Sequence, residues 1–149
     1  MDLEIEDVIK VLEESLDTEL FLDGKQCCNI LINDQITIQI ELDKNHHAII
    51  LGSPIFELPP GKFKEIVLKN ALKSNFGREK EIGILAFVPK SSVLYLYDFL
   101  PLNFLASDQI YHFFLQFIQK AMLWKESLQN NRTPYSSIPS SGGIMFGLR

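Results

Sequence analysis

Residues 27–52 read CCNILINDQITIQIELDKNHHAIILG, and they decide the fold. Within them QITIQIEL (residues 35–42) sets Ile36, Ile38, Ile40 and Leu42 on one side and Gln35, Thr37, Gln39 and Glu41 on the other, because successive side chains of a strand point to opposite faces. This is a strand with one dry face and one polar face. On either side of it CCNILIN and HHAIILG also read as strands, separated by Asn33-Asp34 and by Asp43-Lys44-Asn45, residue types that favour tight turns. Links this short cannot carry a parallel crossover, so the three strands form an antiparallel meander.

Working outward, Ile5, Val8, Ile9, Leu12 and Leu16 recur at helical spacing, with Val11 widening the stripe, so residues 3–16 predict an amphipathic helix. FLDGKQ (21–26) turns the chain into the meander, and PIFELPP (54–60) closes it with prolines. A second helix follows in GKFKEIVLKNALKSN (61–75), where Phe63, Ile66, Val67, Ala71 and Leu72 share a helical spacing. Pro60 suits its start and Asn75-Phe76-Gly77 its stop. EIGILAFVP (81–89) and SSVLYLYDFL (91–100) are two more strands. The last pattern, Ser107 to Leu128, is the longest helix, and its apolar stripe covers more than half its circumference. The order is α-β-β-β-α-β-β-α, an α+β domain over residues 1–128 with a five-stranded, mostly antiparallel sheet. Residues 129–149, rich in Ser, Pro, Gly and Asn, predict a flexible tail. Ile144, Met145, Phe146 and Leu148 form a short apolar hook there that a purely solvated tail would not need.

Composition bounds the function. At 149 residues, 46% hydrophobic and 22% charged, the chain is globular, and no apolar run approaches the ~20 residues of a membrane span. The opening MDLEIEDVIK carries acids where a signal peptide carries Lys or Arg, which places the protein in the cytoplasm. Net charge is −5, but residues 1–23 hold nine acids against Lys10 alone. Such a front end repels phosphate backbones and anionic lipid, so neither nucleic acid nor membrane insertion is expected. Cys27 and Cys28 are strand neighbours that point apart, which opposes both a disulfide and a shared metal. His46 and His47 diverge in the same way, and His112 lies on the polar side of its helix. GxSxG, GxGxxG, GxxxxGK[ST] and HExxH are absent from the sequence, so no catalytic residue, cofactor or metal site is assigned.

VLYLYDFL (93–100) adds the decisive complication, because Val93, Tyr95 and Tyr97 line one side while Leu94 and Leu96 line the other. Neither side is polar. Five strands span ~24 Å and a helix with its side chains ~10 Å, so three helices cannot roof both faces of this sheet. Two flanking helices on one side leave the second helix alone on the other, with bare apolar strand beside it. A second copy of the chain is the expected cover.

These features resemble a known family. LFLDGKQCCNILINDQITIQIEL, FELPP, LKNALKSN with Leu72 and Asn75, and FLQFIQKAMLWKESL are similar to successive segments of the class I type III secretion chaperones, the Tir-chaperone-like family of small acidic bacterial proteins. The likeness covers residues 3–128. It implies a non-catalytic homodimer of the bacterial cytoplasm, without cofactor, that binds an N-terminal segment of a secreted effector in extended form. That partner would be presented to the secretion apparatus, with its ATPase as a further partner. Carried onto this sequence, the dimer interface falls on Phe63, Ile66, Val67, Leu72 and Phe87. The effector-binding grooves fall on Val8, Val11, Leu12, Phe21, Ile30, Ile38 and Ile40. The competing reading is a small-ligand-binding or enzymatic domain with its pocket between the sheet and the long helix.

Overall fold

A computed structural model of the protein describes residues 5–43, 45, 47–76, 81–102 and 107–134. The elements follow the expected order: α1 (Ile5–Leu16), β1 (Cys27–Ile32), β2 (Ile36–Asp43), β3 (Ala48–Glu57), α2 (Lys62–Asn75), β4 (Ile84–Val88), β5 (Val93–Pro101) and α3 (Ser107–Gln129). The strands form one sheet in the order β1-β2-β3-β5-β4, with every neighbouring pair antiparallel. It is an α+β fold.

Register decides which residues share a face. Cys28 lies opposite Ile40 and Ile30 opposite Ile38; Ile40 lies opposite Leu51; Ser53 lies opposite Leu96, and Leu96 opposite Leu85. All of these belong to the roofed face, and all are buried. Val8 and Leu12 of α1 and Ile110, Phe113 and Phe114 of α3 meet Ile40, Ile49 and Leu51 across a dry apolar crevice. Phe117, Ala121 and Trp124 continue the same core along α3, fully enclosed. Each large apolar side chain so enclosed stabilises the fold by ~1.5–3 kcal/mol.

Two elements differ from the sequence reading. β3 does not stop at Gly52 but runs on through Ser53, Pro54 and Phe56 to Glu57. Pro54 cannot donate to a ladder, and the sheet accommodates it with a register shift between Pro54 and Phe56. His47 is not in a strand; it has φ 49° in the turn ahead of β3, where its carbonyl accepts from the Leu102 amide. His46 lies outside the described residues.

The second helix is also not alone on the far face. Lys64 stands 4.6 Å over the ring of Phe87, a residue on the same face as Leu85, and Ser74 and Asn75 line one hollow with Lys120 of α3. Thus α2 flanks the edge strand β4 on the roofed side. Asn75, expected only to stop the helix, has a further task there: its amide donates to the Leu85 carbonyl at 2.7 Å and accepts from the Leu85 amide at 2.9 Å. One side chain satisfies both outward backbone groups of Leu85. Close by, the buried Lys120 ammonium donates to the Gly83 carbonyl at 2.8 Å and pairs with Glu81 at 3.0 Å, while Asp98 accepts from the Gly83 amide at 2.7 Å.

In the described part of the expected tail, the chain turns back at once after α3. The Arg132 amide donates to the Ser127 carbonyl, and Thr133 and Pro134 are buried. Residues 135–149, including the apolar hook, lie outside the described residues.

Gly83 has φ +99°, and a methyl group there would sit 2.9 Å from a Leu96 methyl carbon and 3.1 Å from the Lys120 stem. Both the backbone and the neighbours demand glycine. Gly83→Ala is expected to cost roughly 1–3 kcal/mol, the scale of one strained backbone residue, read as a lower midpoint in chemical denaturation; an unchanged midpoint would refute this account of the joint between α3 and β4.

Candidate functional site

The molecule's candidate site is its uncovered apolar surface. Opposite the roofed face, Ile84, Ala86 and Val88 of β4, Val93, Tyr95, Tyr97 and Phe99 of β5, and Ala48, Ile50 and Gly52 of β3 share the other side of the sheet. No helix of the described residues covers it. Tyr97 and Val88 are exposed, Phe99 is 56% exposed, and a hollow of about 370 Å³ opens between Asp43, Ala48, Ile50, Tyr97, Phe99 and Pro101. The alternation that makes VLYLYDFL apolar on both sides therefore has two outcomes. Leu94 and Leu96 enter the core, and Tyr97 and Phe99 stay outside.

Two further exposed apolar patches lie at the two ends of the molecule's sheet. On α2, Ile66, Leu72 (67% exposed) and the flanking Phe76 (87% exposed) point to solvent among Lys62, Lys69 and Lys73, while Val67 and Ala71 face inward. At the opposite end of the sheet, β1 is an edge strand with Leu31 exposed at 59%. Phe21, in the segment leading into it, is 77% exposed. Around Phe21 stand Asp17, Glu19 and Asp23, all on the surface. Asp23 shapes the turn: its carboxylate accepts from the Lys25 amide at 2.8 Å and the Cys27 amide at 3.0 Å, and these backbone donors, Cys27 first, hold its pKa below the usual carboxylate value.

The structure separates the expected effector-binding residues into two groups. Val8, Leu12, Ile30, Ile38 and Ile40 are buried in the subunit's own core, Val11 is half-buried, and Phe21 alone is freely accessible. Val8, Leu12, Ile30, Ile38 and Ile40 belong to one core cluster with Val11 packed against it, so α1 and α3 occupy the place of a groove there. Of the expected interface residues, Ile66 and Leu72 are exposed, Phe63 and Phe87 are half-buried, and Val67 is enclosed. Sequence reasoning did not single out Phe76, Phe99, Leu31 or Val88. Phe99 was recoverable, since it continues the Val93-Tyr95-Tyr97 side of its strand. Phe76 was hidden in a helix-stop signal.

Polar chemistry is sparse around these patches. Among the described residues no group of three or more His, Cys, Asp or Glu is placed to hold a metal ion. His112 lies on the surface with its ring 6.0 Å from that of Tyr111. Cys27 and Cys28 are free thiols whose pKa values are both raised, in each case chiefly by burial.

Residues 7–125 match the sequence pattern of the Tir chaperone protein (CesT) family. The chain belongs to that family. No curated protein sequence matches it. Among solved structures, this CesT-family chain is similar to a chain of the HopA1–SchA chaperone–effector complex, with 16% identity and a TM-score of 0.65 over 81% of this chain and 92% of that one. It is similar also to a chain of the complex of the Yersinia pestis type III secretion chaperone SycH with a stable fragment of YscM2, at 12% identity and a TM-score of 0.64, covering 80% and 98%. YbjN of E. coli shares the fold as well, at 16% identity and a TM-score of 0.60 over 86% and 93%. Identities this low establish the fold; the family match adds what the fold cannot.

The raised thiol pKa values leave little thiolate at neutral pH. Alkylation at pH 7.5 is expected to be slow at both positions and slower at the enclosed Cys28 than at the half-buried Cys27, as read by mass spectrometry of labelled peptides. Faster labelling of Cys28 would contradict this placement.

Proposed function

We propose that this chain is a non-catalytic chaperone of the bacterial cytoplasm that holds the N-terminal segment of type III secreted effectors in extended form and keeps them stable and competent for export. The observation that carries the reading is the uncovered apolar sheet and edge just described, in a member of a chaperone family. A folded partner would need a matching shape. An extended segment needs only an edge strand to add to and apolar positions for alternate side chains.

In this reading the surface divides between two occupants. A second copy covers the α2 end: Ile66 and Leu72 make the contact, Phe76 joins them, Phe63 and Phe87 sit at its margin, and Val67 supports α2 from within. The client takes the β1 end, where Phe21 and Val11 are reachable and Leu31 extends the patch. Val8, Leu12, Ile30, Ile38 and Ile40 then act from beneath, fixing the shape of that end from the core. Their direct contact with a client would require α1 to move. Ordering an extended client costs conformational entropy, which keeps affinity moderate for the area covered and permits later release to the secretion apparatus and its ATPase.

The test is limited proteolysis of an effector co-expressed with this chain. Protection of a single stretch of ~50–100 residues near the effector's N-terminus is expected, the length an extended segment needs to cross two subunits at ~3.3 Å per residue with loops. Phe21→Asp should weaken the complex by about tenfold or more, the scale of losing one apolar anchor, without lowering the melting temperature. Ile38→Asp should instead unfold the protein. An effector digested equally with and without this chain, together with a small molecule retained in native mass spectrometry, would favour the ligand-pocket reading.

A further inference from the structure

Sheet register sorts the side chains of the open face, and every charged one that it sets there among the described strand residues is a carboxylate. Glu41 lies opposite Cys27 and Ile50, Asp43 opposite Ala48, and Glu57 opposite Val93. We propose that the apolar hollow on this face takes an arginine side chain of the client, with the guanidinium on the Asp43 carboxylate and the stem along Ala48, Ile50 and Pro101. The proposal rests on the reading that this chain binds an extended client.

The hollow, about 370 Å³, lies between Asp43, Ala48, Ile50, Tyr97, Phe99 and Pro101. Ala48 is buried, and the rings of Tyr97 and Phe99 stand exposed beside it. Asp43 brings the only charge among these six residues, and its carboxylate is tied to the end of β2 by the Asn45 amide at 3.1 Å. A carboxylate has about four acceptor positions, enough for this bond and a forked donor together. Apolar walls with one carboxylate complement a side chain that has an apolar stem and a cationic head. Arginine meets this better than lysine. Its planar guanidinium takes a carboxylate with two parallel N–H donors and stacks on an aromatic ring, whereas an ammonium is a compact, strongly hydrated charge.

Charge separates the possible occupants. A second copy meeting this face with its own open face presents the same carboxylates, and no described strand residue of that face supplies a cation to pair with Asp43. Position favours the client. Asp43 belongs to β2, the neighbour of the edge strand β1, and Cys27 and Leu31 of β1 share this face with Glu41 and Thr37. The hollow thus lies one to two strand spacings, ~5–10 Å, from the edge that the client uses, and a segment continuing from that edge across the sheet passes over it. Backbone pairing alone gives an extended client no register of its own. One arginine seated in the hollow supplies it.

Two synthetic peptides of about twelve residues test this, each alternating Leu and Ser around one central residue, arginine in the first and citrulline, its uncharged counterpart, in the second. Both are titrated by NMR into the full-length protein and into Asp43→Asn, whose amide oxygen can still accept from Asn45. The arginine peptide is expected to bind the original protein about threefold to fivefold more tightly, the range of an exposed ion pair beside an aromatic ring, and to shift the amides of Ile50, Tyr97 and Phe99. That advantage should vanish in Asp43→Asn and in about 1 M salt, where screening acts within ~3 Å. Unchanged amide shifts in α3 show that the variant is folded; where it is not, the salt series on the original protein decides. Equal affinity for the two peptides, or an advantage that survives both changes, overturns the proposal. So does a second copy on this face, seen as amides of Ile50, Tyr97 and Phe99 that ignore both peptides and shift on dilution. The two readings fail separately: arginine selectivity at the hollow with no effector protected from protease removes the client reading alone, and a protected effector with equal binding of the two peptides removes the arginine site alone.

Discussion

A sheet has two faces, and the three helices of the described residues all pack toward one of them. Everything else follows from that imbalance. The roofed face collects Ile30, Ile38, Ile40, Leu51, Leu94 and Leu96 under α1 and α3, and this burial alone gives a chain of 149 residues a sufficient core. The other face is apolar over β3, β5 and β4 with no helix of the described residues above it, so Tyr97 and Phe99 meet water, while β2 turns Thr37, Gln39 and Glu41 to that side. An open sheet face is tolerable when its two ends are managed differently. At the β4 end, Asn75 satisfies Leu85 and α2 flanks the strand, which closes that edge to further pairing. At the β1 end no helix of the described residues performs this service, and Phe21 and Leu31 are exposed there.

This division suits a protein that must bind without folding its partner. Specific shape is concentrated in the core, while the proposed recognition surface consists of edge backbone and scattered large apolar side chains. Backbone pairing is indifferent to sequence, and apolar anchors are indifferent to small changes in register. Such a surface would hold an extended segment through many weak contacts. The ion pair of the buried Lys120 with the half-buried Glu81, tied to Gly83, joins α3 to the start of β4, at the end of the sheet away from the proposed client edge.

Most of the fold was legible in the sequence because its signals are local. The clean alternation of QITIQIEL, the Asn33-Asp34 turn and the long stripe from Ile110 to Leu128 each report on residues a few positions apart, and the element order followed from them. β3 ran past its expected end because a proline at a register shift looks, in sequence, like a proline that stops a strand. The site was less legible. Val8, Leu12, Ile30, Ile38 and Ile40 have the pattern of an apolar face, and a pattern cannot tell a face roofed by the chain's own helices from one left for a guest. That distinction depends on where α1 and α3 come to rest, a long-range property. Phe21 and Phe76, the most exposed large apolar side chains of the described residues, stand in turn and stop signals where periodicity is silent.

The central claim is that this subunit has more apolar sheet than it can cover and completes itself with a copy of the same chain. The mass of the purified full-length protein in solution, measured by light scattering across micromolar concentrations, tests this most directly. The account predicts twice the mass of one chain, reverting to a single folded chain when Ile66 and Leu72 are both replaced by Asp. A protein that remains a single stable chain at every concentration, with no tendency to associate or aggregate, would contradict it.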